Sequence, residues 1–367
     1  MKVLHLNAGN ETGGGMHHIL LLLNEFSRDE VILGVFEEGE LANRARAIGI
    51  KTEVFKQGSR KDFSIVKKVV GFIQEEKIDI IHTHGARANL YGTFIAKKAK
   101  CKWVSTIHSN PDDDFLGKGI KGIVFTAINK WSIKKAHHLF AISDRFKEMV
   151  EGYGIPSEKI TTILNGIDFK VTPKSNYTRA DLQVTEEDFI IIMIARLEKV
   201  KDHMVALQAL KGVVEKNANI KLLLVGEGSE RSALEKEVRD LLISSEVIFM
   251  GHREDVTEIL PLADLCLLTS KSESFPLVLL EAARAGIPAI TTNVGGVGKM
   301  IPATELGWIT AVGDVPGICK AIEEAIHDKE DASLAQKGKR FSDHCEGNFS
   351  ILNQANDIYR AYKKMLS

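Results

Sequence analysis

The amino-acid sequence predicts an α/β protein with two Rossmann-like parallel-sheet lobes that face a central cleft. Short runs rich in β-branched residues alternate with helical patterns along all 367 residues, which is typical of a parallel sheet covered on both faces. Several runs are nearly continuously apolar, such as Ile190–Ala195 and Lys221–Val225, as expected for strands buried on both faces. The length also favours two domains of ordinary size over one.

Both halves of the chain show this alternation. In the first half the predicted strands are Val3–Asn7, Val31–Phe36, Lys51–Phe55, Ile78–His84, Trp103–His108, Leu139–Ser143 and Ile160–Leu164. In the second half they are Phe189–Ala195, Ile220–Val225, Val247–Met250, Leu265–Thr269, Ala289–Thr292 and a short strand near Trp308. A polar segment, Asp168–Thr178, contains Pro173 and predicts a hinge between the halves. We therefore assign residues 1–170 to one lobe and 171–345 to the other.

The remaining residues, 346–367, predict a separate C-terminal helix. Its apolar positions recur at helical spacing and form one stripe. They are Leu352, Ala355, Ile358, Tyr359, Tyr362 and Met365. A helix with so clear an apolar face is expected to dock on one of the lobes.

Composition excludes several classes of protein. The chain is 44% hydrophobic and 26% charged with a net charge of -1, so no global field favours a nucleic-acid partner. The four cysteines are scattered without a Cys-x-x-Cys pair, as in a reduced protein without structural zinc. The segment Met1–Asn7 leads into the first predicted strand without the charged and apolar regions of a signal peptide, and no run approaches the ~20 apolar residues that span a bilayer. We expect a cytoplasmic protein, in contact at most with the inner face of a membrane.

Chemically suggestive residues follow the predicted strands, where open α/β sheets bind their ligands. These segments are Gly13–Gly15, His82–His84, His108, Arg196, Gly226–Gly228, Ser270–Glu273 and Asn293–Gly296. Both halves carry such residues at the ends of their strands, so a cleft shared by the two halves is the simplest interpretation.

The glycine run Gly13–Gly15 precedes a helical pattern that starts near Met16. Glycines let backbone amides approach an anion closely, and a helix N-terminus adds a positive dipole. A simple tight turn is the alternative. The run does not fit the dinucleotide-binding fingerprint, because Glu11 occupies a required glycine position, and this disfavours a nicotinamide oxidoreductase.

The segment from Glu273 to Pro288 carries the strongest local signal. Pro276 suits a first helical turn and Gly286 a helix stop. Glu273 then lies before the helix, while Glu281 lies within it, ~8 Å along the axis from its start. One elongated ligand can touch both carboxylates with phosphates at the positive helix end between them. A nucleotide sugar has that shape.

Arg196 and Lys201 supply matching cations. Arg196 leaves a buried strand, and Lys201 begins the next helical pattern. Arginine forks onto phosphate oxygens and lysine adds a point charge. Taken alone, each is more typical of a solvated surface charge, but their position on the same rim as Glu273 favours binding.

Taken together, these motifs resemble those of the retaining glycosyltransferases of family 4, which have the GT-B architecture. The resemblance covers nearly the whole chain, and the order and spacing of its motifs are specific. The matching segments are the Gly13–Gly15 loop, Ile80–Gly85, Ser105–His108, Ile163–Asp168, Ala195–Lys201, Leu224–Gly228, Phe249–Gly251, Glu273–Glu281, Gly286–Pro288 and Val294–Gly296. One departure is Val297–Lys299, where family members often have a hydrophobic residue, Pro and Glu.

The resemblance implies a role for each residue on the donor side. Glu273 would bind the sugar hydroxyls and Glu281 the ribose hydroxyls. Arg196 and Lys201 would clamp the diphosphate and stabilise the leaving group. Backbone amides near the sugar and phosphates would come from Ser274, Phe275 and Leu277.

The N-terminal lobe would be the acceptor side, and the C-terminal helix would cross back to it. Gly14 and Gly15 would approach the donor phosphates from this lobe, and His108 would lie beside the reacting sugar. His108 and Glu273 are thus the implied catalytic residues. The family needs no metal and no cofactor, since protein cations and helix dipoles supply the electrostatic stabilisation.

The resemblance further implies transfer with retention from a nucleotide sugar, with UDP favoured, to a glycan or lipid-linked acceptor. Bacterial surface polysaccharide or glycolipid synthesis fits this. No side chain is an obvious covalent nucleophile, which favours attack from the face that the nucleotide leaves. A non-hydrolysing nucleotide-sugar epimerase and a non-catalytic nucleotide- or glycan-binding module remain alternatives.

Other polar clusters have ordinary explanations. The segment Asp112–Asp114 has an Asp-x-Asp pattern, but such charge blocks are usually solvated. His82 and His84 lie two apart, and a zinc pair needs further ligands that the sequence does not reveal. We interpret His82 as structural and expect His84 to face the cleft. His17 and His18 are open to two interpretations, acceptor contact or solvent exposure.

The segment Gly117–His137 combines five lysines with apolar residues at helical spacing. Such a basic amphipathic helix can rest on an anionic membrane, which would suit a lipid-linked acceptor. The alternative is that its apolar stripe packs on its own lobe.

Overall fold

A computed structural model of the protein describes residues 1–10, 13–59, 62–112, 114, 119–171, 173–216 and 219–367. The chain forms two compact units. The N-terminal unit consists of Met1–Gly166 together with Ile351–Ser367, and the C-terminal unit consists of Ile167–Ser350. Each unit has its own hydrophobic core.

The N-terminal unit is a parallel sheet flanked by helices. Its strands are β1 Val3–Asn7, β2 Val31–Val35, β3 Thr52–Val54, β4 Ile80–His84, β5 Lys102–Ile107, β6 His138–Ala141 and β7 Ile160–Thr162. Its helices are α1 Gly13–Asn24, α2 Glu40–Ala47, α3 Ser64–Glu76, α4 Ala86–Ala99, α5 Gly119–Ile133 and α6 Asp144–Gly152, with a C-terminal helix described below. The strand order among the described residues is β3-β2-β1-β4-β5-β6-β7.

The C-terminal unit repeats this plan. Its strands are β8 Phe189–Ile194, β9 Ile220–Val225, β10 Val247–Gly251, β11 Leu265–Leu268, β12 Ala289–Thr292 and β13 Gly307–Thr310. Its helices are α7 His203–Val214, α8 Arg231–Asp240, α9 Val256–Ile259, α10 Leu277–Arg284, α11 Val297–Met300, α12 Val315–Glu330 and α13 Ser333–Phe349. The described strands run in the order β10-β9-β8-β11-β12-β13. None of the helices in the described part of the chain has the length and apolar character that crossing a bilayer requires.

The fold class predicted from the sequence is confirmed, and every predicted strand is present among the described residues. Bounds differ by one or two residues at several ends. The prediction began β4 at Ile78, whereas the strand begins at Ile80. The amide of Ile78 donates to the Ile73 carbonyl at 3.0 Å and so closes the end of α3.

Helix α1 begins earlier than the sequence predicts. The expected start was near Met16, with the glycines in a loop before it, but Gly13, Gly14 and Gly15 form the first turn. The first amides of a helix have no partner within it. The helical turn therefore keeps the glycine amides available, which is what the anion-site interpretation requires of them.

The C-terminal helix, α14 Ile351–Leu366, packs on the N-terminal unit. Its buried face includes Ala355, Ile358 and Tyr362, as the periodicity predicts. The prediction was wrong for Leu352, which is 43% exposed, because Ile351 occupies the buried position one residue earlier. This face completes the core formed by β1, β2 and α1.

Helix α10 ends as its sequence indicates. The amide of Gly286 donates to the Ala283 carbonyl at 2.9 Å, and that of Ile287 donates to the Ala282 carbonyl at 3.0 Å. Gly286 adopts a positive φ of 74°. This pair of bonds is a Schellman motif, in which glycine avoids the left-handed strain of other residues. Pro276 precedes the first helical residue rather than lying within the turn.

We predict that the close packing of α13 on the end of α10 depends on Gly338. A Cβ there would lie 1.9 Å from the Gly286 carbonyl oxygen, so one helix must move away from the other. We expect Gly338→Ala to lower the free energy of unfolding by about 1–3 kcal/mol. Gly347 lies on the same helix with nothing within 4 Å of the corresponding Cβ.

Gly347→Ala is the matched control and should stabilise the protein by about 0.5 kcal/mol, because alanine has the better helix propensity. Chemical denaturation of both variants measures the effects. Equal stability of the two variants would show that the helix contact is not tight.

Candidate active site

In the C-terminal unit, the loops after β8 and β11 bring a predicted cation and a predicted carboxylate together. Lys201 Nζ lies 2.5 Å from Glu273 Oε1, and the Ser270 hydroxyl donates to the same oxygen at 2.6 Å. The lysine and glutamate side chains are only 19% and 12% exposed. Removing either partner of such a partly buried pair is destabilising, because the other charge is then left uncompensated.

Backbone contacts fix the position of Lys201. The Thr269 hydroxyl lies 3.1 Å from the Lys201 carbonyl and 3.0 Å from the Asp202 carbonyl. The Lys271 amide donates to the Val200 carbonyl at 2.8 Å, and Lys271 Nζ pairs with the Asp202 carboxylate at 3.0 Å. The loop after β8 is therefore tied to the end of β11, which carries Glu273 toward it.

Glycines let the neighbouring loops approach Arg196. A Cβ at Gly226 would lie 2.0 Å from the Ala195 oxygen, and one at Gly228 would lie 2.3 Å from the Leu197 oxygen. These glycines thus serve close backbone packing. The Arg196 side chain is exposed and makes no hydrogen bond or ion pair with any residue that the structure describes. It is available to an anion.

A second glycine pair supports the loop that carries Ser274 and Phe275. A Cβ at Gly295 would lie 2.6 Å from the Glu273 oxygen, and one at Gly296 would lie 2.5 Å from the Phe275 ring. Phe275 is buried against this pair, so it offers a ligand its backbone rather than its ring. Leu277 follows as the first residue of α10, where amides lack helical partners.

Glu281 is the fifth residue of α10, as expected from the sequence. Its carboxylate forms no hydrogen bond with a described residue. Burial raises the pKa of this carboxyl, and nearby Arg284 opposes the shift. Arg284 itself donates to the Asp168 carbonyl at 3.1 Å. A desolvated carboxylate without donors is suited to accept hydrogen bonds from ligand hydroxyls.

In the N-terminal unit, His108 follows β5 and contacts a row of buried histidines. His84 Nδ1 lies 2.9 Å from His108 Nε2, and His5 Nδ1 lies 3.0 Å from His84 Nε2. His84 is buried, so the prediction that it faces the cleft was wrong. It contacts His108 instead, because β4 lies beside β5 in the sheet interior.

Sequence reasoning missed His5. It pairs in register with His82 on the neighbouring strand, and the ring nitrogens of His5, His82 and His84 lie within 4.8 Å of one another. The available signal was a histidine inside an otherwise apolar strand. Such a residue must find polar partners when the strand is buried.

These histidines are neutral at physiological pH. Burial lowers the pKa of His5 to about 3 and that of His108 to about 4. Burial, together with the neighbouring histidines, also lowers the pKa of His18, His82 and His84 well below the ordinary value. Each ring therefore has one donor nitrogen and one acceptor nitrogen.

His18 meets His108 from helix α1. The two rings are 4.9 Å apart between centroids in an edge-to-face arrangement. His18 is 4% exposed, and neither ring nitrogen has a hydrogen-bond partner among the described residues. His17 on the same turn is exposed. The two residues therefore differ, since His18 lies inside the unit whereas His17 is exposed to solvent.

The aspartates of Asp112–Asp114 are engaged with the protein where the structure describes them. Asp112 forms an ion pair with Lys130 and accepts a hydrogen bond from the Tyr153 hydroxyl at 2.8 Å. Asp114 accepts one from the Ser109 hydroxyl. Asp113 lies outside the described residues. Asp112 and Asp114 thus have protein partners of their own.

Two family models match most of the chain. Residues 12–171 match the family model described as Glycosyltransferase Family 4, and residues 175–341 match that described as Glycosyl transferases group 1. An N-acetyl-alpha-D-glucosaminyl L-malate synthase from Bacillus anthracis is 31% identical over 73% of this chain and 71% of its own length. A UDP-Gal:alpha-D-GlcNAc-diphosphoundecaprenol alpha-1,3-galactosyltransferase from Escherichia coli is 24% identical over 83% and 80%.

Solved structures share the whole fold. The Anabaena protein Alr3699/HepE in complex with UDP has a TM-score of 0.84 at 21% identity, covering 99% of this chain and 100% of that chain. The neighbours are glycosyltransferases of GT-B architecture, and the two parallel-sheet units of this chain have that architecture. The chain belongs to glycosyltransferase family 4 and is a glycosyltransferase.

We predict that Glu281 reduces stability at neutral pH in the absence of ligand. Because burial raises its pKa in the folded state, the folded protein holds this proton more tightly than the unfolded chain does. Stability is therefore lost as the pH rises above the ordinary value of 4.5 and through the raised folded value.

Glu281→Gln should raise the melting temperature at pH 7.5, and the difference from wild type should shrink as the pH falls below about 4.5. The exposed Glu305 provides the control, since Glu305→Gln should change the melting temperature little. A stabilisation by Glu281→Gln that persists at pH 4 would contradict the explanation by burial.

Proposed function

We propose that the protein transfers a sugar from a nucleoside-diphosphate sugar, with UDP as the favoured nucleotide, and retains the anomeric configuration. The observation that carries the proposal is the set of charges at the carboxyl edge of the C-terminal sheet. Lys201 is held against Glu273, Arg196 is exposed without a described partner, and Glu281 is a desolvated carboxylate. The similarity to a UDP-Gal galactosyltransferase of Escherichia coli and to an Anabaena protein in complex with UDP supports UDP.

Each part of the donor has a proposed partner. Glu281 accepts hydrogen bonds from the ribose hydroxyls, and Glu273 accepts them from the sugar. Arg196 and Lys201 bind the diphosphate, with backbone amides of Ser274, Phe275 and Leu277 nearby. Gly14 and Gly15 in the first turn of α1 are a further predicted contact with the phosphates.

The environment of Glu273 favours binding over nucleophilic attack. Its Oε1 already accepts from Lys201 and Ser270, and such bonds reduce the nucleophilicity of a carboxylate. We therefore favour a front-face displacement. The bond from the anomeric carbon to the phosphate oxygen breaks, the acceptor oxygen bonds to the same face, and the acceptor proton moves to the departing phosphate. Arg196 and Lys201 stabilise the charge on that phosphate without a metal.

The acceptor, a glycan or a lipid-linked molecule, is proposed to bind the N-terminal unit near His108. His18 supports this placement, because a buried histidine without a hydrogen-bond partner among the described residues can bond to a ligand. Both rings are neutral and can exchange hydrogen bonds with hydroxyls.

A thermal-shift panel of UDP, GDP, ADP and their common sugar conjugates, with EDTA present, tests the donor. A ligand that binds only the folded state raises the melting temperature by mass action. We expect the UDP compounds to raise it while GDP and ADP do not. No shift with any compound would contradict the proposed phosphate clamp, and a shift that requires added divalent metal would contradict metal independence.

The two glutamates should separate binding from turnover. Glu281→Ala should weaken donor binding about 10-fold or more, because charge-assisted hydrogen bonds to the ribose are lost. Glu273→Ala should lower turnover about 100-fold with a smaller effect on binding. Calorimetry measures binding, and release of the nucleoside diphosphate measures turnover.

Glu305→Ala, at an exposed position, is the control for both measurements. Equal and near-silent effects of Glu273→Ala and Glu281→Ala on binding and turnover would overturn this division of roles.

Helix α5 supports a membrane-facing surface on the N-terminal unit. The sequence left open whether its apolar stripe packs on its own unit, and the stripe is in fact exposed. Ile120 is 82% exposed, Ile123 71% and Trp131 45%, and Lys121 and Lys134 are also exposed. Gly117 and Lys118 of the predicted segment lie outside the described residues. We propose that α5 rests on an anionic bilayer, because the apolar residues stand among lysines.

We predict that the protein floats with phosphatidylglycerol vesicles and not with phosphatidylcholine vesicles, and that added salt weakens the binding. Ile123→Glu should weaken vesicle binding about 10-fold, because an apolar anchor becomes an anion. Leu242, which is 83% exposed on the C-terminal unit, supplies the control Leu242→Glu. Equal binding of both variants, or equal binding to both lipids, would contradict the membrane role of α5.

A further inference from the structure

A single row of hydrogen bonds runs through the N-terminal unit from the middle of the sheet to His108. Its members lie on β1, β4, β5 and α14 and are buried except for His108 at the strand end. In order they are Thr106, His82, Tyr362, His5, His84 and His108. Among the described residues no other side chain branches from this row, and each histidine between its ends uses both ring nitrogens.

Four of the five links are short, and one is long. Thr106 Oγ1 lies 2.7 Å from His82 Nε2, and His82 Nδ1 lies 2.5 Å from the Tyr362 hydroxyl. The Tyr362 hydroxyl lies 3.5 Å from His5 Nε2, which is the longest link. The bonds from His5 to His84 and from His84 to His108 measure 3.0 and 2.9 Å.

Neutral rings make this row directional. A neutral imidazole donates through one nitrogen and accepts through the other, and a phenol hydroxyl has one proton to donate. If one member reverses its donor and acceptor, its neighbour must do the same. The tautomers of the histidines are therefore coupled from one end of the row to the other.

The Thr106 end selects the direction. This hydroxyl is buried, and His82 Nε2 is the hydrogen-bond partner that the described residues offer it. A buried hydroxyl proton left without an acceptor is costly, so Thr106 donates. His82 then donates through Nδ1 to the Tyr362 hydroxyl, and Tyr362 donates to His5 Nε2. His5 in turn donates through Nδ1 to His84 Nε2, and His84 donates through Nδ1 to His108 Nε2.

We propose that Tyr362 is a positioning residue, which transmits this direction and holds His108 with its proton on Nδ1. His108 then presents an N–H donor to an oxygen of the bound sugar or phosphate. This role of His108 rests on the proposed glycosyl transfer, whereas the tautomer does not. The C-terminal helix thereby contributes to the site through a hydroxyl that is fully buried.

A metal ion bound by His5, His82 and His84 is the competing use of these rings, since their nitrogens lie within 4.8 Å. Metal binding needs one lone pair from each ring aimed at a common point. Both nitrogens of His82 already bond to hydroxyls. The geometry therefore favours the hydrogen-bonded row, and metal analysis of the purified protein separates the two.

The test is ¹⁵N NMR of protein labelled at histidine, in which protonated and unprotonated ring nitrogens have well-separated shifts. The His108 resonances are assigned by their loss in His108→Gln. We expect wild-type His108 to carry its proton on Nδ1. In Tyr362→Phe we expect a mixture of tautomers at His108, because the row is interrupted. Tyr359→Phe is the control, since that hydroxyl donates to Glu30 from the same helix.

A second pair of variants tests the role of Thr106 in setting the direction of the row, without altering α14. Thr106→Val removes the donor at nearly constant volume and should produce the same mixture, whereas Thr106→Ser should restore the wild-type tautomer. The nucleotide sugar that raises the melting temperature in the thermal-shift panel then serves as the substrate for kinetics. Tyr362→Phe and Thr106→Val should lower kcat about 10-fold, with little change in KM, relative to Tyr359→Phe and Thr106→Ser.

Three results would overturn the proposal. These are a wild-type His108 protonated on Nε2, an unchanged tautomer in the folded Tyr362→Phe and Thr106→Val variants, and stoichiometric metal lost on His5→Gln. If the expected tautomers are found but no nucleotide sugar turns over, the proposed function fails and the tautomer assignment stands. If the tautomers shift without any change in kcat, the positioning role fails while the function stands.

Discussion

Parallel pairing of the strands is the constraint on which the rest of the structure depends. Because every paired strand runs in the same direction within its sheet, each connection returns across the sheet and all carboxyl ends meet at one edge. Residues far apart in the chain are gathered there without any dedicated scaffold. Lys201 and Glu273 are separated by 72 positions, yet they follow neighbouring strands and form an ion pair.

Glycines convert this convergence into a site. The strand spacing brings loops close, but carbonyl oxygens such as those of Ala195 and Glu273 lie where a Cβ would otherwise stand. Gly226 and Gly295 remove that obstacle, and both adopt positive φ. The backbone thus takes positions that side chains would forbid, and the charged groups are held by main-chain bonds rather than by one another alone.

The sequence was informative where a single element decides the outcome. Buried strands are recognisable as apolar runs, and the stop of α10 is recognisable from Gly286, because both signals are local. The sequence was less informative where several elements meet. His5 lies in an apolar strand, and its partners come from β4 and α14. The ion pair of Lys201 with Glu273 likewise depends on how two loops pack, and periodicity carries no record of that packing.

Residues 351–367 belong to the core of the first unit, although they are made after the second. During synthesis the N-terminal sheet must therefore wait for its last helix with the surface for Tyr362 uncovered, while the contiguous C-terminal unit is completed. At ~5–20 residues per second, the 184 intervening residues, 167–350, take about 9–37 seconds to emerge. The N-terminal unit, although it begins first, is therefore the last of the two to be completed.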